Sequence, residues 1–360
     1  MYPLSEQQRL FLVESAQLYE SWMDAKHQAD SHKYGMKWLK SKGHEYLIRL
    51  VDAKGNGKSL GPRSPETEAI YKAFVEGKSR SERRFKGLDQ RVHEQARLNR
   101  AARLGRLPVV VGDILQAIDQ TRARDDFIVV GTHALYAYES LAGVHIKMEL
   151  LASGDVDLLY DPRKKLSLVA NNLDGGGMLG LLRKVDASFE PVSKQNFRAV
   201  NDRGFMVDLI IPARDMHHAD AIQFAIDDLR AAEVPSLQWL TNAPHVDPIV
   251  IASNGMPVRA RVPDPRAFAV HKSWLSQQPD RDPVKKVRDL AQSKMVFSIL
   301  HEYLPNFPLD LGQMRYFPRG VLREGIGLAD EKADQRVVGV GAGGSVREAK
   351  QLGKDSGRGR

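Results

Sequence analysis

The chain of 360 residues contains no cysteine. That excludes disulfides and thiolate metal sites, and it suits a reducing compartment. No apolar run approaches the ~20 residues needed to span a bilayer, so a membrane partner is not expected. The opening Met1-Tyr2-Pro3-Leu4-Ser5-Glu6 lacks a basic region followed by an apolar run, so no secretory signal is expected either. These absences point to the cytoplasm. Internal repeats are also lacking. What is present is 42% hydrophobic and 27% charged residues, enough for a core and two or three structural regions. The net charge of +8 is compatible with a polyanionic partner.

Residues 5–40 read as helix, and Glu45–Val51 as a strand. A turn at 52–57 lets Lys58–Gly61 pair back as a short hairpin. Ser64-Pro65-Glu66 has the marks of a helix start: an N-cap, proline at the first position, an acid in the first turn. The spacing predicts a helix from there to about Leu104, with a break at Gly77. Its second half is strongly basic, carrying Arg83, Arg84 and Arg91 among ten cations against Glu82, Asp89 and Glu94. Phe85, Leu88 and Val92 keep an apolar stripe beneath the charge. Such a face is usually only solvated, but a basic stripe is also the electrostatic footprint of a nucleic-acid contact.

From Leu107 the texture changes to α/β. Pro108–Val111 is apolar and strand-like, a helix follows around 112–123, and Phe127-Ile128-Val129-Val130 reads as a strand running into Gly131-Thr132 and a second helix. Strands are expected near 154–160, 196–201 and 204–211, a helix around 177–187 and a loop over Asn171–Gly177. Hairpin turns are expected at Asp202-Arg203-Gly204 and at Asn254-Gly255. Helices follow at 264–277 and 283–303, and the Gly-, Lys- and Arg-rich end from about Glu331 reads as disordered. The expected organisation is a mainly helical region with a short hairpin over 1–107, a catalytic core over 108–215, a hairpin and helical region over 216–330 and a tail over 331–360. The fold class is α+β, a mixed sheet flanked by helices with helical regions at both ends.

The chemistry lies in three carboxylates. Gly154-Asp155-Val156-Asp157-Leu158 places two aspartates on one face of a strand, and Met206-Val207-Asp208-Leu209 places a third on a later one. Burying carboxylates among apolar residues is costly unless they are paired or bind a metal. If the two strands are neighbours, the three meet at one sheet edge. There they suit Mg²⁺ or Mn²⁺, hard cations that take carboxylates together with substrate phosphates. The Gly131-Thr132 turn offers close backbone approach, free N–H groups and a hydroxyl to a phosphate.

The combination of apolar strand, Gly131-Thr132, helix, Asp155-x-Asp157 and later Asp208 resembles the nucleotidyltransferase fold of the DNA polymerase β superfamily. The likeness is closest to uncharacterised bacterial nucleotidyltransferase-like families and to abortive-infection toxins. It covers about 45–300. Thr132 stands where glycine or serine is usual, and the gap to Asp155 is longer than the common form; an inserted strand through 143–146 accounts for the gap. The resemblance implies transfer of a nucleoside monophosphate from a nucleoside triphosphate to an acceptor hydroxyl, with Asp155, Asp157 and Asp208 as metal ligands and catalytic residues. In the toxin-type relatives a helical lysine and a downstream Arg-Asp-Leu complete the nucleotide site, which carries Lys272, Arg288 and Asp289 over as nucleotide contacts. An antitoxin partner follows from the same likeness. The basic helix favours RNA, such as tRNA, as acceptor over a protein or small molecule.

Other readings stand beside this one. A retired scaffold that only binds nucleic acid through Arg83, Arg84 and Arg91 is the second, and a glycosyltransferase using Asp155-x-Asp157 is the third. A P-loop needs glycine where the chain has Asp52. An EF-hand needs glycine where it has Tyr160. His217-His218 with Asp215 and Asp220 reads as a polar loop. His133 and His271 flank the expected site as substrate contacts or as structural histidines.

Overall fold

The structure, a computed structural model, describes residues 1–121, 123–163, 173, 176–213 and 222–327. The expected loop over 171–177 falls largely outside the described residues, as do His217, His218, Asp215, Asp220 and the tail from 331. The chain divides into two units. One comprises Met1–Leu237 with His245–Val262; the other comprises Gln238–Pro244 with the residues from Pro263 onward.

In the first unit, β1 (Tyr2–Pro3) leads into α1 (Glu6–Ser31). Ser5 caps α1 by accepting from the Gln8 backbone N–H, while the Gln8 side chain accepts from Ser5 N–H, a reciprocal capping box. The helix expected to reach residue 40 stops at 31. Tyr34 and Gly35 adopt φ of 70° and 85°, and two left-handed residues cannot continue a right-handed helix. Met36–Ser41 is instead β2, the first strand of an antiparallel meander with β3 (His44–Leu50) and β4 (Gly57–Pro62). The turn and return strand at 52–61 are as expected. This meander rests on α2 (Pro65–Ala101): Trp38 packs on Tyr71, and the Arg49 guanidinium lies 4.3 Å from the Phe74 ring centre.

Ser64 caps α2 with Pro65 in its first turn, as the sequence indicated. The expected break at Gly77 does not occur. A Cβ there would come within 2.9 Å of His32 Nε2, so the glycine makes room for the end of α1 rather than interrupting α2. The two long helices share a core of Tyr19, Trp22, Met23 and Val92, with Phe85 and Leu88 partly buried against it. Inside it Asn99 donates to Ser15 Oγ (2.9 Å) and to the Gly255 carbonyl (3.0 Å).

The helix α3 starts at Val109 and runs to Asp119, so the strand-like Pro108–Val111 is its first turn. Val111, Ile114, Leu115 and Ile118 recur at helical spacing and are all buried, and that burial overrides the β preference of three consecutive valines. Then come β5 (Phe127–Val130), a single 3₁₀ turn at Gly131–His133, and α4 (Ala134–Ala142). The inserted strand expected through 143–146 is β6 (Val144–His145), which pairs antiparallel with β1. Next are β7 (Asp155–Tyr160), α5 (Gly177–Val185), β8 (Glu190–Val192), β9 (Gln195–Val200), β10 (Met206–Pro212) and β11 (Ala232–Val234). A hairpin of β12 (Ile249–Ile251) and β13 (Pro257–Arg259) closes the unit around Asn254-Gly255.

One mixed six-stranded sheet organises these elements in the order β5-β7-β10-β9-β8, with β11 also on β10. β7 and β11 run parallel to β10, whereas β9 runs antiparallel to it and β5 antiparallel to β7. The class is α+β, as expected. Val156, Leu158, Leu159, Val207, Leu209 and Ile211 are all fully buried. Strands this apolar on both faces form a rigid platform, so their polar positions stand out.

In the second unit, α6 (Pro265–Gln277) and α7 (Pro283–Tyr303) each begin Asp-Pro, with Asp264 and Asp282 as side-chain caps. They pack against each other, and Ser293 donates to the Ala269 carbonyl across their contact (2.8 Å). Among the described residues no helix is long and apolar enough to cross a membrane.

Candidate active site

The centre of the sheet brings the expected residues of the first unit together. β7 and β10 are neighbours, and their parallel register sets Asp157 opposite Asp208 and Asp155 opposite Met206. Asp155 and Asp157 share a face because they are two residues apart. Register partners on adjacent strands also share a face, so Asp208 joins them. Asp155 and Asp157 are half-buried and Asp208 is 6% exposed. Ser153 Oγ donates to Asp155 Oδ1 at 2.5 Å and fixes that carboxylate at the strand entrance.

The strand β5 brings in the glycine turn. Its last residue, Val130, is the register partner of Asp157, so Gly131 leaves the sheet beside that carboxylate. Gly131 has φ of 66°, and a Cβ built there would overlap Asp157 Oδ2. Both the backbone conformation and the space therefore require glycine. Thr132 is buried at 7% exposure. His133 is 2% exposed, with its ring against Tyr136 and Phe205. It is packed within the turn.

Arg198 is the site residue that sequence reasoning missed. It lies on β9 directly opposite Asp208 and grips it with two parallel bonds, Nε to Oδ1 and Nη2 to Oδ2, each 2.6 Å. The hydrogen bonds to Asp208 push the guanidinium pKa up, against desolvation, and the charges of Asp208, Asp155 and Asp157 add to the rise. All three carboxylates thus act on one arginine. A strand reading Gln195-Asn196-Phe197-Arg198 gives one clue: Arg198 precedes buried Ala199 in a strand whose hairpin partner carries Asp208.

Among the described residues no three His, Asp or Glu side chains are gathered to hold a metal ion. Asp208 is paired with Arg198. Asp155 and Asp157 nevertheless fit a hard divalent cation, since magnesium commonly takes one or two carboxylates and completes its shell with water and substrate phosphate. The tight Gly131 cradle beside Asp157 is where such a phosphate would find backbone N–H groups.

In the second unit the residues carried over from the resemblance form their own cluster. Lys272 Nζ pairs with Asp289 Oδ1 at 2.6 Å, and Arg281 Nε donates to Asp289 Oδ2 at 2.9 Å. Lys272 is 7% exposed and Asp289 2%. Neighbouring His271 is buried, and desolvation pushes its pKa down to about 3, so the ring is neutral. It stacks beside Trp274 and is a structural histidine. Arg288 is half-buried on α7.

The family comparison shows a transferase that moves nucleotidyl groups. A family profile described as Nucleotidyltransferase matches residues 110–315, more than half of the chain. The chain belongs to this nucleotidyltransferase family. No curated protein and no solved structure matches it. Family membership implies a nucleoside triphosphate substrate and transfer of its monophosphate. It sets aside the sugar-nucleotide reading of Asp155-x-Asp157. The matched span begins in α3 and takes in the sheet, α6 and α7, whereas α1, the meander and α2 lie before it.

Proposed function

We propose that this nucleotidyltransferase is divalent-cation dependent and transfers a nucleoside monophosphate to a hydroxyl of RNA. The observation that carries the metal reading is the register of Asp157 with Asp208, beside a Gly131 turn that closes onto the Asp157 carboxylate. Asp155 and Asp157 would hold Mg²⁺ or Mn²⁺, which supplies charge neutralisation for the triphosphate when bound. The chain's own residues do the rest. Gly131 and Thr132 seat the phosphates with backbone N–H groups and a hydroxyl. Asp208 accepts the proton of the attacking acceptor hydroxyl, and Arg198 orients Asp208 and balances its charge. Lys272, Arg288 and Asp289 enter as nucleotide contacts on the family resemblance. A Lys272→Met variant with raised KM for the triphosphate and retained kcat would support that role; an unchanged KM would remove it.

The acceptor is proposed from charge. The exposed Arg83, Arg84 and Arg91 on α2 suit a phosphodiester chain, and a tRNA is a suitable substrate. A cytoplasmic setting, a toxin role and an antitoxin partner belong to the same proposal and rest on the family resemblance. Growth arrest on expression, abolished by Asp157→Asn, is the expected sign of a toxin; harmless expression would count against it.

The decisive experiment incubates purified protein with each α-labelled nucleoside triphosphate, Mg²⁺ or Mn²⁺ and total cellular RNA. Label should enter RNA, should be released by nuclease, and should not appear with Asp155→Ala/Asp157→Ala. Label resistant to nuclease but released by protease would replace RNA with a protein acceptor. Transfer that persists in chelator would overturn the metal reading.

A further inference from the structure

Charge is distributed very unevenly along this chain. Residues 33–106 carry 19 Lys and Arg against 8 Asp and Glu, while the remainder carries 34 against 37. The whole positive excess therefore sits in the meander and α2, outside the span matched by the family. α2 has 37 residues, which makes it about 55 Å long at 1.5 Å per residue. One side is buried against α1 through Val92, Gln95, Ala96 and Asn99. Arg80, Arg83, Arg84, Lys86 and Arg91 are all exposed. Among the described residues Arg80, Arg83, Lys86 and Arg91 have no carboxylate at ion-pair distance; the pairs within the helix are Lys78 with Glu82 at 3.8 Å and His93 with Asp89 at 4.0 Å.

In the middle of this face stands Gly87. Glycine is the poorest residue for a helix interior apart from proline, so its presence needs a reason. Gly77, ten residues earlier in the same helix, has one: His32 fills the space a side chain would take. Gly87 has none among the described residues. It is exposed, and among them a Cβ there would meet nothing within 4 Å. Its neighbours on the helix surface, three, four and seven residues away, are Arg84, Arg83 with Arg91, and Arg80. The helix thus has a bare patch of backbone at the centre of four arginines.

We propose that this patch seats the phosphodiester backbone of the acceptor RNA: the missing side chain lets a phosphate approach the helix surface while Arg80, Arg83, Arg84 and Arg91 neutralise it. This deepens the RNA reading given above and rests on it. The charge complementarity favours a polyphosphate, and RNA, which carries a 2′-hydroxyl on its nucleotides as well as terminal hydroxyls, offers phosphates and acceptor hydroxyls together.

The test measures binding of unfractionated tRNA, and of single-stranded DNA of matched length, to the full-length protein over a range of salt. Gly87→Gln places a good helix former on the patch without altering charge. It should melt at a higher temperature than the parent yet bind tRNA at least tenfold more weakly. A structural role for Gly87 predicts the opposite sign for melting. Arg83→Gln/Arg91→Gln should lower the slope of log affinity against log salt by about 1.4 to 1.8, two contacts at ~0.7 each on a single strand or ~0.9 each on a duplex. Unchanged binding by Gly87→Gln with loss in the double arginine variant would overturn the seat and leave the RNA reading standing. No tRNA binding by the parent would overturn the RNA reading itself. DNA held as tightly as tRNA would overturn the choice of RNA.

Discussion

Replacing Arg198 with methionine isolates the least expected contact of the site. The substitution keeps most of the aliphatic stem and removes the fork that holds both Asp208 oxygens at 2.6 Å. Asp208 would remain, 6% exposed, on the same sheet face as two further carboxylates. Removing one partner of a fully buried ion pair costs about 3–5 kcal/mol. The Arg198 side chain is 22% exposed, so water can reach the vacated position and screen the remaining charge, which brings the expected loss to ~2 kcal/mol. Urea unfolding of Arg198→Met, Asp208→Asn and the double variant separates the pair from the individual residues. The double variant should be more stable than Arg198→Met, because the stranded charge is then gone. Arg198→Met alone should bind Mn²⁺ more tightly than the parent in the absence of nucleotide, since a competing cation has left Asp208 free to ligate. A coupling energy below about 0.5 kcal/mol, together with unchanged Mn²⁺ affinity, would refute the view that Arg198 is the internal counter-charge of this site.

Three further outcomes follow from the same geometry. Gly131→Ala forces an L side chain into a left-handed conformation at ~1–2 kcal/mol and presses its Cβ onto the Asp157 carboxylate; transfer should fall at least a hundredfold while the fold survives in circular dichroism, and near-normal transfer would remove Gly131 from the phosphate cradle. Glu139 on α4 accepts from Arg106 and from the Ile146 N–H, but burial outweighs both and pushes its carboxyl up to about 7. The folded chain therefore keeps a proton that the unfolded chain gives up near pH 4.5, so this contribution to stability is complete below pH 4.5 and is lost as the pH rises through 7. That loss is on the order of 3 kcal/mol, and Glu139→Gln should flatten this part of the stability profile; a parent already flat between pH 5 and 7.5 would show that Arg106 keeps Glu139 ionised. Asp289→Asn weakens the anchor shared by Lys272 and Arg281, both at 2.9 Å or less, and should destabilise the second unit by ~2 kcal/mol, read as an earlier loss of near-ultraviolet Trp239 and Trp274 signal; coincidence with the parent curve would make the cluster energetically neutral.

Much of this protein is legible from local patterning. Short apolar runs located β3, β5, β7 and β10, capping chemistry at Ser64 located the start of α2, and the helices expected at 264–277 and 283–303 are α6 and α7. Asn254-Gly255 and Asp202-Arg203-Gly204 marked two hairpin turns. The misreadings share a cause. Three valines at 109–111 favour a strand by propensity, and only the buried face of α3 makes them helical. The chain after Ser31 lost its helix to two left-handed residues, Tyr34 and Gly35, and to pairing with β3, a partner visible only once the strands are assembled.

By itself, then, the sequence determined which carboxylates stand on strands, which face of each strand they share, and that a glycine turn precedes them, because strand periodicity and turn chemistry are short-range rules. It also determined that the positive charge is concentrated before residue 107. The tertiary structure decided what those residues meet. Parallel pairing of β7 with β10 set Asp157 against Asp208, antiparallel pairing of β9 brought Arg198 onto Asp208, and the exit of β5 laid Gly131 on Asp157. Strand order and register are fixed by the burial of whole faces over long sequence separations, and no local signal in the chain specifies them.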